Sequence, residues 1–304
     1  MREPLTRDAG EPWTRDVDQR LVDSGPVRLS VRDHPGGRPP ILALHGLASN
    51  ARWWDLAAER LSPRWRVLAP DLRGHGRSDR PEAGYSFDEV TGDLVRLCES
   101  EGLDRMVIAG HSWGASVALC LAASLPEKVI GCVCVDGGAV LLRDHFPTWT
   151  EAEERLRPPR LSGFTEASVA SWVGGGPLIE GGAEADVIEI VLGNFETADD
   201  GTLRPRLRLD HHMEIARALY ELDSFELMGR VRCPVLFIPA RGGPWPAELK
   251  SAALERAQAV LGERAQVVWV DGGHDLPVQR PAPVAAAIAR FVKDLAVAPA
   301  PVPP

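Results

Sequence analysis

Five residues, Gly110-His111-Ser112-Trp113-Gly114, stand between two stretches of opposite character and constrain the fold more than any other feature. Ahead of them, Arg105-Met106-Val107-Ile108-Ala109 is a short apolar run that reads as a buried strand. Behind them, Ala115 to Ala123 is small and apolar and reads as a packed helix. Glycine and serine are common, so G-x-S-x-G alone is a weak signal; strand and helix on either side make it a nucleophile elbow. In such a turn the serine is held in a strained conformation with its hydroxyl above the sheet. The two glycines leave room where side chains would strike the adjoining strand and helix.

The chain that carries this turn has 304 residues, enough to bury a large core. With 44% hydrophobic and 25% charged residues it has the balance of a soluble globular protein. A net charge of -9 argues against a nucleic-acid partner, because phosphates need clustered Lys and Arg. No apolar run reaches membrane-spanning length, and the charged N-terminus has no signal-peptide core. The expected setting is the cytoplasm, with a small-molecule substrate and no membrane partner; a homodimer stays open. Five cysteines, Cys98, Cys120, Cys132, Cys134 and Cys233, are an odd number lying mostly in apolar runs, which suits buried thiols better than a disulfide framework. No metal and no cofactor are expected: Cys132-x-Cys134 lies in a strand, and no H-E-x-x-H pattern occurs.

Along the chain, residues 1–25 are polar and read as a loosely attached arm. Val27 to Arg32 alternates like a half-exposed edge strand, and Ile41-Leu42-Ala43-Leu44 is continuous enough for a central parallel strand. Further strands are expected at Arg66–Ala69, Val129–Val135, Pro234–Ile238 and Gln266–Val270. Helices are expected from Arg52 to Leu61, from the capping box at Ser86-Phe87-Asp88-Glu89 to Glu101, and from Pro281 to Leu295. Between Ala139 and Gly229 strand signals vanish and helical stretches alternate with Gly/Pro breaks. The expected organisation is an α/β core over 26–138 and 230–295, with a mostly parallel sheet covered on both faces. A helical cap occupies 139–229 and a disordered Pro/Ala tail 296–304.

Four motifs in order, His45-Gly46, Asp71-Leu72-Arg73-Gly74-His75-Gly76-Arg77-Ser78, the elbow at Ser112, and Gly273-His274, resemble those of the α/β-hydrolase superfamily over nearly all of residues 27–295. The resemblance implies the α/β-hydrolase fold, Ser112 as nucleophile, His274 as its base, and an oxyanion hole made by the backbone N–H groups of Leu47 and Trp113. It makes His45 structural or close to the oxyanion. The superfamily's commonest acid lies just beyond the strand at Val235–Ile238, but Pro239 to Pro246 holds no carboxylate. Some members take the acid from the strand after the elbow, where Asp136 stands 24 residues past Ser112. Asp136 is therefore the preferred acid; Glu248, or none, are the other choices, and a plain turn residue is its bland reading.

Nine tryptophans against two tyrosines make the aromatics worth placing. Trp149, Trp172 and Trp245, with His45, are the expected substrate contacts, against core or surface packing as the bland alternative. His145, His211 and His212 are expected on solvated or packed helix faces, and Arg73 and Asp79 in structural roles. Together these features point to an esterase or lactonase working through an acyl-enzyme on a bulky apolar or aromatic substrate. A carbon–carbon bond hydrolase of ketonic ring-cleavage products and a non-turnover receptor are the alternatives. Epoxide hydrolases and haloalkane dehalogenases of the superfamily use an Asp nucleophile, whereas position 112 is Ser.

Overall fold

The computed structural model describes residues 3–4, 17–161, 163–176, 178 and 184–297. Its strands are β1 (Glu3–Pro4), β2 (Asp18–Asp23), β3 (Arg28–His34), β4 (Ile41–Leu44), β5 (Val67–Pro70), β6 (Met106–His111), β7 (Val129–Val135), β8 (Phe195–Thr197), β9 (Leu203–Pro205), β10 (Val235–Ile238) and β11 (Ala265–Val267). The α-helices are α1 (Asp55–Leu61), α2 (Phe87–Ser100), α3 (Trp113–Ser124), α4 (Trp149–Leu156), α5 (Glu166–Gly174), α6 (Glu184–Leu192), α7 (Leu209–Glu221), α8 (Ser224–Arg230), α9 (Ala247–Leu261), α10 (Leu276–Gln279) and α11 (Pro281–Val297). One sheet runs β1-β2-β3-β5-β4-β6-β7-β10-β11. From β5 to β11 the neighbours are parallel; β1, β2 and β3 add to one side antiparallel. This is the expected α/β-hydrolase architecture.

Alternation along each strand feeds two cores. Leu42, Leu44 and Ile108 face one side, where α2, α3, α8 and α9 pack. Ile41, Ala43, Val107 and Ala109 face the other, under α1 and α11. Both faces being covered explains why β4, β5 and β6 are apolar without a break.

Four expectations change. Asp18–Asp23 is not part of a loose arm but strand β2, paired along its whole length with β3. With β2 on one side and β5 on the other, β3 is no edge, and Ser30 and Arg32 are buried in it. Arg32 is tolerated there because its guanidinium makes two 2.8 Å bonds to Asp55 at the start of α1. A small hairpin, β8–β9, lies inside the stretch expected to be helical only. It is three residues per strand, too short to leave a run of alternation in sequence. The last strand is also shorter than expected, with Val270 joined to Ala240 by a single bridge.

Residues 139–229 connect β7 to β10 and carry α4 to α8 with the hairpin. Their own apolar cluster, including Val169, Val173, Val187 and Ile190, closes onto Trp53, Leu56 and Val278 of the core. Asn50 anchors it, donating to Ile190 O at 2.8 Å and to Asn194 Oδ1 at 2.6 Å. At the far end, Leu227 and Met228 of α8 are buried in the main core with α3 and α9. Residues 1–2 and 5–16 of the expected arm, and 298–304 of the expected tail, lie outside the described residues; α11 runs to Val297. Among the described residues no helix is long and apolar enough to cross a membrane.

Candidate active site

Ser112 sits between β6 and α3 with φ 55° and ψ -121°. A non-glycine residue in that region is strained and persists only where the surroundings over-determine it. Here they do. A Cβ on Gly114 would lie 2.4 Å from His45 O and 2.6 Å from Leu44 O. One on Gly110 would lie 2.0 Å from Gly114 O. The two glycines let α3 close down on the sheet with Ser112 held at the turn.

Three side chains meet above the sheet. His274 Nε2 is 2.9 Å from Ser112 Oγ, and His274 Nδ1 is 2.7 Å from Asp136 Oδ2. The carboxylate accepts from Nδ1–H, so Nε2 is free to accept from the serine hydroxyl. Asp136 follows β7 with φ 42°, a second positive φ beside the first. Gly137 permits the approach, since a Cβ there would lie 2.3 Å from Ser112 O. Glu248, the other carboxylate considered, is exposed on α9.

Burial alone would push the Asp136 carboxyl up. The hydrogen bond and charge of His274, then the Lys250 ammonium and the Ala240 N–H, outweigh it and hold the group below the usual carboxylate range. Lys250 had no signal in the sequence. It comes from α9, is 4% exposed, and puts Nζ 2.7 Å from Asp136 Oδ1. It occupies the space beside the loop where a carboxylate was missing.

His111 is also more than a residue pointing away. Its Nε2–H donates to His274 O at 2.8 Å and so fixes the loop that carries His274. Burial, then the neighbouring His274 charge, push its pKa down to about 3, so it stays neutral. Gly273 N–H donates to Gln279 Oε1 at 2.8 Å and fixes the same loop from the other side.

Trp113 opens α3, where a backbone N–H has no acceptor within the helix. The loop after β4 packs against the serine: a Cβ on Gly46 would lie 3.2 Å from Ser112 Cβ, and Leu47 is next in the chain.

A cavity of about 310 Å³ opens onto Ser112 and His274. Trp113, Phe237 and Trp245 line it from the core side, and Leu142, Leu156 and Leu219 from the inserted segment. Trp245 is the one expected substrate contact that reaches this cavity. His45 does not: it is fully buried, with Nδ1–H on Gly46 O at 2.7 Å and Nε2 accepting from Leu72 N–H at 3.0 Å. Trp149 is turned to Tyr220 and Arg217. Trp172 is 56% exposed on α5. A tryptophan's position on a helix does not say which face will pack, and these two were legible only as aromatics. His211 stacks on Tyr85 and His212 faces Leu156 O, as packed helix residues, while His145 contacts Trp245. Arg155 of α4 lines the cavity too and makes no hydrogen bond or ion pair with any described residue.

The sequence profile of the α/β hydrolase fold matches residues 39–166. A crystal structure of E-2-(acetamidomethylene)succinate hydrolase superposes with a TM-score of 0.76 at 28% identity, covering 91% of this chain and 99% of that one. Profile and superposition agree on the α/β-hydrolase fold for this chain. Among curated relatives, 2-(acetamidomethylene)succinate hydrolase of Mesorhizobium japonicum is 37% identical over 117 residues, 38% of this chain and 42% of that protein. That match spans less than half of the relative's length. Epoxide hydrolase A of Mycobacterium tuberculosis is 28% identical over 322 aligned residues, 91% of this chain and 98% of that protein. Hydrolysis is the activity these relatives share in name.

Proposed function

We propose that the protein is a serine hydrolase that cleaves carboxylic esters through an acyl-enzyme. The observation that carries this reading is the hydrogen-bonded line Asp136–His274–Ser112 ending at a largely apolar cavity. His274 takes the proton as Ser112 Oγ attacks the carbonyl carbon, and Asp136 holds the tautomer and balances the imidazolium. The N–H groups of Trp113 and Leu47 donate hydrogen bonds to the developing oxyanion, aided by the positive end of α3. His274 then protonates the leaving alcohol, and water repeats the sequence on the acyl group. Residues 139–229 serve as a cap, with Leu142, Leu156 and Leu219 closing the cavity over the substrate. Buried free thiols suit a reducing compartment, and we assign the protein to the cytoplasm.

Serine at 112 argues against an epoxide substrate, because epoxide hydrolases of the superfamily use an Asp nucleophile. Asp136 at 2.7 Å from His274 supports an enzyme over the receptor reading, whose argument was a loop without a carboxylate. Arg155 favours a second reading in which the substrate carries a carboxylate next to the scissile bond. The name of the succinate-derivative hydrolase relative fits such a substrate. The deciding experiment is steady-state hydrolysis of activated esters of increasing acyl length, beside Ser112→Ala. Turnover is expected in wild type and to fall about 10³-fold or more in the variant. An intact-mass adduct of one acyl group should appear during wild-type turnover. Equal rates in both proteins would remove Ser112 from the chemistry.

A further inference from the structure

Lys250 has three ammonium protons and three acceptors: Asp136 Oδ1 at 2.7 Å, Ala240 O at 2.8 Å and Gly242 O at 2.9 Å. Its side chain is 5% exposed and that of Asp136 2%. Burying an ammonium is costly unless every proton is paired, so an ordinary packing role would be better served by leucine. Asp136 meanwhile uses its two oxygens on opposite neighbours, Oδ2 on His274 and Oδ1 on Lys250 and Ala240 N–H. Protonation of His274 therefore puts a second positive charge on a carboxylate already matched by Lys250.

We propose that Lys250 is a positioning residue for this site: acting through Asp136, its charge competes with the His274 imidazolium for the shared carboxylate, while its carbonyl bonds pin the loop that carries Trp245. The proposal rests on the serine-hydrolase reading for its consequence, though not for its electrostatics. The other groups around His274 are Ser112 on Nε2, His111 on its backbone carbonyl, Asp275 next in the chain and Arg155 across the cavity. Burial holds His111 neutral and pushes the Asp275 carboxyl up. All of these stay in place when only Lys250 is changed.

The sign is fixed by the like charge. Without the ammonium, Asp136 has only His274 to pair with, so His274 should keep its proton to higher pH. Lys250→Gln preserves a donor without the charge. Its acid limb of kcat/KM should move alkaline by about one pH unit relative to wild type. Lys250→Arg, which restores the charge, should bring the limb back. A loss of rate in Lys250→Gln with an unmoved limb would reduce Lys250 to a packing residue and overturn the proposal.

The His274 ring titration, followed by NMR in Ser112→Ala with and without Lys250→Gln, reads the same shift with no substrate. Failure to find a hydrolysable ester would thus sink the functional reading and still leave Lys250 decided. Should Lys250→Gln not fold, the ¹⁵N signal of the Lys250 ammonium in wild type decides: it should persist through the whole His274 titration. An ammonium that deprotonates below the His274 transition would equally overturn the proposal.

Discussion

Asp136 is held by two kinds of constraint at once. It accepts from a buried ammonium on one oxygen and orients an imidazole with the other, and an amide, with a single acceptor oxygen, could not satisfy both. Asp136→Asn would present an N–H₂ or a neutral oxygen to His274 Nδ1, letting the ring settle with its Nε2–H toward Ser112. A base protonated on the wrong nitrogen cannot accept from the hydroxyl, and kcat should fall about 10⁴-fold with little change in KM. Circular dichroism should report a folded protein; near-wild-type turnover would hand the acid's role elsewhere. At this scale the sequence was legible where chemistry is written locally. Ser112 and His274 each lie in a short motif, and Asp136 was found because positions 239–246 hold no carboxylate. Lys250 was not legible: it is 114 residues from its carboxylate partner, and an isolated lysine in a helix looks like any solvated one. His45 was misplaced because its two backbone partners, Gly46 O and Leu72 N–H, leave no side-chain signature.

The site's precision belongs to elements, chiefly to how closely α3 lies on β4. That contact is backbone against backbone at Gly114, so no side chain can turn aside to make room. Gly114→Ala should lift the start of α3, and with it Ser112 and the Trp113 N–H. Overpacking of this kind costs about 1–3 kcal/mol. A displacement of about an ångström costs about 10²-fold in rate. Thermal unfolding and kcat should both drop, the second more than the stability loss explains, with KM moving less. An unchanged kcat in a folded variant would show that the elbow has slack. The elements themselves were readable wherever they are long or buried on both faces, as with β4, β6, β7 and the Ser86 capping box, which forms as spaced. They were misread where pairing rather than pattern decides. β2 is half polar and becomes a strand because β3 offers a full-length partner, and β8–β9 has only three residues per strand.

Across the whole molecule, several ionisable groups are committed to the form that burial allows. His45, His75 and His111 are buried, and burial is the first cause that pushes each below the usual value for histidine; His111 reaches about 3. His75 is further depressed by the neighbouring His45, and stacks on Trp113 at 5.5 Å. In the unfolded chain all three take up a proton near pH 6.5. Below that pH the unfolded state binds more protons than the folded one, so stability falls as pH falls and is fully present only above about 6.5. Each such histidine is worth about 1.4 kcal/mol per pH unit until its folded-state pKa is reached. Three together approach about 4 kcal/mol per unit, against a typical stability of about 5–15 kcal/mol. Asp33 and Asp55, held low against their burial by Arg66 and Arg32 respectively, add to the loss below about pH 4. Asp275, raised by burial, opposes it as a single group. Urea midpoints measured between pH 8 and 4.5 should therefore be level above 6.5 and fall steeply below it, with an unchanged dependence on denaturant. A midpoint that stayed level down to pH 4.5 would mean these histidines reach solvent, and the packing drawn around His45, His75 and Trp113 would then be wrong.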